Sequence, residues 1–208
     1  VTGDLGSRWE SRSNFYKLYP NAQVLLPFVE MVMEIRREIG GIEGVTAIRV
    51  EIPARFIPVV CEPRAAKIAP RTNTHARASL AYAVAVALVR GSAGIDDYSD
   101  EAIFDPEVLR IAALVSHAAL DPVPHGDGFS GALTITLADG SSHRLEQVSR
   151  KGHPEEPDTP AAVEAKFRNN AGRLLSEHRI EAVLLKTLSI ESQSGIDSLT
   201  ALTVPTPD

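Results

Sequence analysis

The sequence predicts an α+β fold: a small antiparallel or mixed sheet with one hairpin, packed against several helices. Three observations carry this expectation. Residues 45–52 alternate apolar and polar side chains, as a half-buried strand does. Residues 131–148 read as two further strands joined at Asp139-Gly140. Around them lie apolar stretches of helical length, opened by proline and closed by glycine. The chain has 208 residues, 44% hydrophobic and 23% charged, which sets aside disorder, collagen and coiled coil. A chain this long buries roughly 70% of its unfolded surface, enough for a substantial core.

Each element follows in order. Residues 1–20 carry no period and form an irregular opening segment pinned by Trp9, Phe15, Tyr16 and Tyr19. The domain proper is expected over 21–203, with 204–208 as a frayed tail. Pro27 suits a first helical turn, and Phe28, Val29, Met31, Val32, Met33 and Ile35 make the helix apolar on nearly all sides. That helix should be deeply buried and end at Gly40 and Gly41. Ile48, Val50 and Ile52 form the inner face of the strand that follows. Residues 53–72 hold four prolines and read as a long connection. Asn73 or Thr74 then caps one close-packed, alanine-rich helix that runs to Gly91. An acidic loop leads to Asp105-Pro106, a cap and first-turn proline for a short helix over 107–115. In the hairpin, Leu133, Ile135 and Leu137 face one way, and Asp139-Gly140 predicts a type I′ turn. A polar, proline-rich connection precedes two last helices, over 160–175 and 177–188.

Charge and cysteine content narrow the function classes. Lys and Arg total 21 against 27 Asp and Glu, a net charge of −6. There is no basic surplus to neutralise phosphates, so nucleic acid is not an expected partner. No apolar run is long enough to span a bilayer, and no signal segment is read, so no membrane partner is expected. Cys61 is the only cysteine. It precludes a disulfide within the chain, fits a reducing, cytoplasmic setting, and is expected as a small buried residue rather than a nucleophile.

Several constellations invite chemistry. Gly126, Gly128 and Gly131 spell G-x-G-x-x-G, but they precede a strand instead of opening a helix, so a glycine-rich loop explains them. His117, Asp121, His125 and Asp127 have no compact ligand spacing, and Pro122 and Pro124 interrupt them. Asp96, Asp97 and Asp100 match no EF-hand, so no metal site is assigned. His75, Ser79 and Tyr82 stand at i, i+4 and i+7 and share a face of a continuous helix. They form a solvated stripe, or a set of donors lining a cleft. Lys17 lies among aromatic rings. It is a surface lysine with its stem on the rings, or a partly desolvated amine poised for a carboxylate.

Several motifs, taken in order, resemble the C-terminal portion of the MmgE/PrpD family. Leu5, Gly6 and Trp9 give an LG-x-x-W stretch, and Lys17-Leu18-Tyr19-Pro20 gives K-x-Y-P. Residues 70–91 look like the family's P-x-T…A-x-x-S-x-x-Y…A-L-x-x-G helix, followed by ADG in the hairpin, then GHPEEP and AKFRNNA. The resemblance implies an α+β lid that closes on a large helical domain, which this sequence does not contain. It implies a helical domain or subunit as partner, an oligomer, a small polycarboxylate as substrate, and chemistry without metal or cofactor.

By the same resemblance, Lys17 and Tyr82 are the candidate catalytic residues, as carboxylate clamp or proton-transfer partner and as hydrogen-bond donor. His75, Ser79 and Arg77 are the candidate substrate-binding residues. The sequence departs from the pattern at Ala22, where decarboxylase-like members carry histidine, and at Asn21, Leu25 and Leu26, which replace polar or thiol positions. Two functions follow. One is the lid half of a lyase-like or isomerase-like enzyme. The other is a non-catalytic member kept for association or small-acid binding.

Overall fold

A computed structural model describes residues 4, 6, 7, 9, 14–123, 129–148, 151–152 and 158–204. The chain divides into two compact units, Val1–Pro157 and Asp158–Asp208.

The first unit is built around helix α1, Leu26–Ile39, with Pro27 in its first turn as expected. Phe28, Val29, Val32 and Ile35 are fully buried. Each such side chain contributes roughly 1.5–3 kcal/mol by leaving water. Strand β1, Val45–Pro53, buries Ile48, Val50 and Ile52, while Arg49 stays exposed and Glu51 half-buried. The alternation read from sequence is therefore the one that folds.

Residues 53–72 are not a plain connection. They hold two short helices, α2 (Ile57–Val60) and α3 (Arg64–Ile68). The prolines start helices here: Pro58 lies in the first turn of α2, and extended Pro63 immediately precedes α3.

The alanine-rich helix is also corrected. It is two helices, α4 (Asn73–Arg77) and α5 (Leu80–Arg90). Thr72, rather than Asn73 or Thr74, caps α4 by accepting from His75 N–H. The break falls at Ala78-Ser79, where extended Ser79 turns its hydroxyl oxygen to Tyr82 N–H at 3.1 Å and caps α5. Helix α6, Pro106–Ala113, starts as predicted on Asp105, which accepts from Glu107 N–H at 2.9 Å.

The sheet is four-stranded and mixed. It comprises β1, β2 (Val115–Leu120), β3 (Gly131–Leu137) and β4 (Ser142–Gln147), in the order β2-β1-β3-β4. Strand β2 runs parallel to β1, with Ile48 opposite Val115, and the other pairs are antiparallel. The α+β expectation holds, and β2 is the strand the sequence did not give away. Parallel neighbours need a long crossover, and α2–α6 supply it. Helices α1 and α5 pack on each other, and α1 covers β3 and β4. The other face carries polar pairs, including Arg144–Glu51 at 2.9 Å.

The hairpin turn is not type I′, which requires positive φ at both central residues. Only Gly140 has it, at 86°. Leu137 N–H donates to Ser141 at 2.9 Å and Gly140 N–H to Leu137 at 3.0 Å. This is a three-residue loop with a glycine bulge. Asp139 steadies it by accepting from Ser141 N–H at 2.8 Å.

The second unit contains α7 (Thr159–Ala171), α8 (Glu177–Leu188) and α9 (Asp197–Thr203). Helix α7 stops before the expected end at 175. Arg168 binds Glu164 one turn earlier at 2.8 Å and also pairs with Glu181 of α8. Arg179 donates to the carbonyls of Ala201 and Leu202, closing the C-terminal end of α9. Residues 205–208, called a frayed tail, lie outside the described residues.

Candidate functional site

The break between α4 and α5 disperses the predicted polar stripe. Ser79 is fully buried; it caps α5 and donates to the Lys67 carbonyl at 2.5 Å. Tyr82 is also fully buried, and its hydroxyl reaches the carbonyls of Asp97 at 2.8 Å and Ala102 at 3.2 Å. Tyr82 thus anchors the acidic loop, and Ser79 ties the start of α5 to α3. Burial pushes the Tyr82 phenol up to about 12. His75 is exposed and Arg77 half-buried. Two residues apart on α4, they do not share a face. Lys17 is exposed, in keeping with the surface-lysine alternative.

Arg77 is brought to the K-x-Y-P segment. Ala22 N–H donates to the Arg77 carbonyl at 2.8 Å, which lays residues 21–22 alongside the end of α4. Next to Ala22, Asn21 is only 1% exposed, and its Nδ2 donates to the Tyr98 hydroxyl at 3.1 Å. Two atoms of this cluster lack a hydrogen-bond partner among the described residues: Arg77 Nε and Asn21 Oδ1, both buried. An unmet buried polar group costs about 1–3 kcal/mol. The two residues belong to segments joined by the Ala22–Arg77 main-chain bond. The sequence reading listed Arg77 but treated Asn21 only as a departure from the motif, and it missed Tyr98. The only signal was the position of Asn21 immediately after K-x-Y-P.

The acidic loop is structural. Asp97 is 7% exposed and accepts from Arg90 at 3.2 Å, Ser92 at 2.8 Å and Gly94 N–H at 2.7 Å. Arg90 also holds Asp105 at 3.0 Å. A small cleft elsewhere is lined by Cys61, Arg64, Lys67, Leu80, Val115 and His117. Lys67 Nζ donates to the carbonyls of Val59 and Ala78, and Arg64 donates to those of Ala113 and Val115. Burial lowers the Lys67 ammonium and raises the Cys61 thiol to about 11, which makes Cys61 a poor nucleophile at neutral pH. His117 stands 3.4 Å from Glu62 on β2, not in a solvated loop. Of the other residues weighed as metal ligands or glycine motif, His125, Asp127, Gly126 and Gly128 lie outside the described residues. Gly131 opens β3.

Comparison with known proteins places this geometry. The MmgE/PrpD C-terminal domain matches residues 19–189, most of the chain. The chain belongs to the MmgE/PrpD family. Cis-aconitate decarboxylase of Mus musculus is 25% identical over 135 residues, 64% of this chain and 28% of that protein. Cis-aconitate decarboxylase of Homo sapiens is 25% identical over 134 residues, with the same shares. The chain thus spans less than a third of the length of these curated relatives. Within the MmgE/PrpD match fall the end of K-x-Y-P, the Asn21–Arg77 cluster and the whole sheet. Among the described residues, no helix is long and apolar enough to cross a membrane.

Proposed function

We propose that the chain is the C-terminal lid half of a lyase-type enzyme of the dehydratase or decarboxylase class. It acts on a small polycarboxylate without metal or cofactor, and a helical domain or subunit completes it. The observation that supports this most directly is Arg77: a half-buried guanidinium with an unmet Nε, beside the K-x-Y-P segment of an MmgE/PrpD domain. Elimination or decarboxylation at a carbon next to a carboxylate builds negative charge on the carboxylate oxygens. A fixed cation aimed at that charge lowers the barrier. Arginine suits the task because its planar fork matches a carboxylate and stays charged.

In this reading Arg77 orients the substrate. Lys17, on its exposed segment, is the carboxylate clamp or proton-transfer partner. Tyr82 supports the fold instead of donating to substrate, because its hydroxyl is held by two carbonyls. The base comes from the helical half. The test is Lys17→Met in the complete native assembly, assayed on polycarboxylates. A drop in kcat of at least about 100-fold is expected from the loss of one acid-base group. Unchanged turnover rules out the role.

A second reading has one observation in its favour. Leu25 and Leu26, which by the resemblance replace polar residues of the family pattern, are buried core residues here. A domain so altered at the start of α1 serves as an association or small-acid-binding module. Mass measurement of the native complex discriminates. A helical partner in fixed stoichiometry supports the enzyme, and this domain alone or self-associated supports the module.

A further inference from the structure

We infer that the outer edge of β4 pairs antiparallel with β4 of a second copy of this chain, which joins the two four-stranded sheets into one. The inference goes beyond the lyase reading and uses neither Lys17 nor Arg77. It starts from the strand order, β2-β1-β3-β4, which leaves β4 at one end of the sheet. Leu137 N–H donates to the Ser141 carbonyl, so these two residues form a hydrogen-bonded pair. Such pairs alternate along an antiparallel ladder. His143, Leu145 and Gln147, opposite Ile135, Leu133 and Gly131, therefore turn their main-chain groups toward β3. Ser142, Arg144 and Glu146 turn theirs outward, and among the described residues those groups meet no main-chain partner. An open row of donors and acceptors is a template for another strand.

The side chains specify which strand. Arg144 and Glu146 are both exposed and alternate in sign along the edge. A run of like charges would repel a second copy. With a two-fold axis at Leu145, Arg144 instead lies opposite Glu146 of the second copy, and Glu146 opposite its Arg144. Moving the axis by one residue, to Arg144 or to Glu146, sets like charges against each other. Glu51 already holds Arg144 at 2.9 Å and orients the guanidinium, whose further N–H groups can take a second carboxylate. On the other side of the strand Leu145, half-buried against the core, meets its own copy and adds apolar contact. A strand of 6 residues is small beside the roughly 1,600 Å² of a standard interface, so the association is weak and concentration-dependent.

The test is disulfide trapping in the full native protein, with the unsubstituted protein as background; Cys61 is buried. In this register Leu145 faces itself in a non-hydrogen-bonded pair, with Cα atoms about 4.5 Å apart, within the range of about 4.4–6.8 Å that a disulfide bridges. Leu145→Cys should therefore give a covalent dimer with oxidised glutathione. Ser142→Cys, on the same strand but opposite Val148 of the second copy, should give little. Glu146→Pro removes an outward N–H and no bond to β3, so the fold tolerates it. Added to Leu145→Cys, it should abolish trapping. Glu146→Arg turns both opposite-charge pairs into like-charge pairs and should lower trapping about 10-fold. The swap of Arg144→Glu together with Glu146→Arg should restore it. Thermal unfolding of each variant checks folding.

The inference is overturned if folded Leu145→Cys gives no covalent dimer, or if Ser142→Cys is trapped as readily. It is also overturned if Glu146→Arg leaves trapping unchanged. Should Leu145→Cys not fold, the double variant His143→Cys with Gln147→Cys, which face each other across the same axis, carries the decision. Should Glu146→Pro not fold, Glu146→Arg decides alone.

Discussion

Single side chains decide more here than their types announce. Gly131 is the clearest case. A Cβ at this position would lie 2.3 Å from the Phe28 ring and 3.1 Å from the Glu51 carbonyl oxygen. The third glycine of the apparent nucleotide motif is therefore a contact between β3 and α1. Gly131→Ala should destabilise the fold by about 1–3 kcal/mol, as overpacking does, measured by urea unfolding. Tyr82 stood out in the sequence through its spacing from Ser79 and through the family resemblance, and its hydroxyl is bound by the carbonyls of Asp97 and Ala102. Tyr82→Phe should therefore cost about 1–2 kcal/mol of stability, measured by urea unfolding. The Asn21–Arg77 cluster was half legible. Arg77 was named among the candidate substrate-binding residues, but nothing in the order of residues says that Tyr98 would take one end of the Asn21 amide.

Elements with strong periodicity read true: α1, β1, the hairpin strands and the Asp105-Pro106 start of α6. The failures have identifiable causes. The stretch forming β2, VSHAAL, has no clean alternation, because its burial comes from pairing with β1 rather than from its own pattern. The α4–α5 break is invisible because the alanines continue the helical period through Ala78. Ser79 chooses to cap, and only the Lys67 carbonyl it meets makes that choice pay. Ser79→Ala should lose about 1–2 kcal/mol through the cap, again by urea unfolding. Asp105 offers a pH test. The Arg90 hydrogen bond, helped by N–H groups at the start of α6, holds its carboxyl below the usual aspartate range. A depressed carboxyl stabilises fully above the unfolded-state pKa of about 3.9 and loses that contribution as pH falls through the folded value. Asp105→Asn keeps a capping oxygen and removes the charge. It should flatten the decline in stability below about pH 4 while costing less than about 1 kcal/mol at pH 7.

For the molecule as a whole, the fold class was legible and the topology was not. Composition and pattern give a mixed sheet with helices. They do not say that the strand after α6 returns beside β1 to make the parallel pair. Alkaline titration tests the core globally. Burial raises Tyr19 and Tyr82 to about 12 and Tyr98 further still. A raised tyrosine stabilises the fold below its unfolded pKa of about 10, and that contribution is lost as pH climbs through the folded value. Stability should fall between about pH 10 and 12, and the larger part of the tyrosinate absorbance at 295 nm, that of Tyr19, Tyr82 and Tyr98, should rise together with unfolding, since Tyr16 alone of the four is exposed. The strand order carries a further consequence, for how the chain acquires its shape. β1 is central, yet both its neighbours come later in the sequence, β2 from Val115 and β3 from Gly131. During synthesis its apolar row of Ile48, Val50 and Ile52 must wait unpaired while the whole crossover emerges. Such non-local pairing places folding in the slow range for a domain of this class. Arg49 and Glu51, interleaved with that row, act as gatekeepers that keep the waiting strand from adhering to its copies on neighbouring ribosomes.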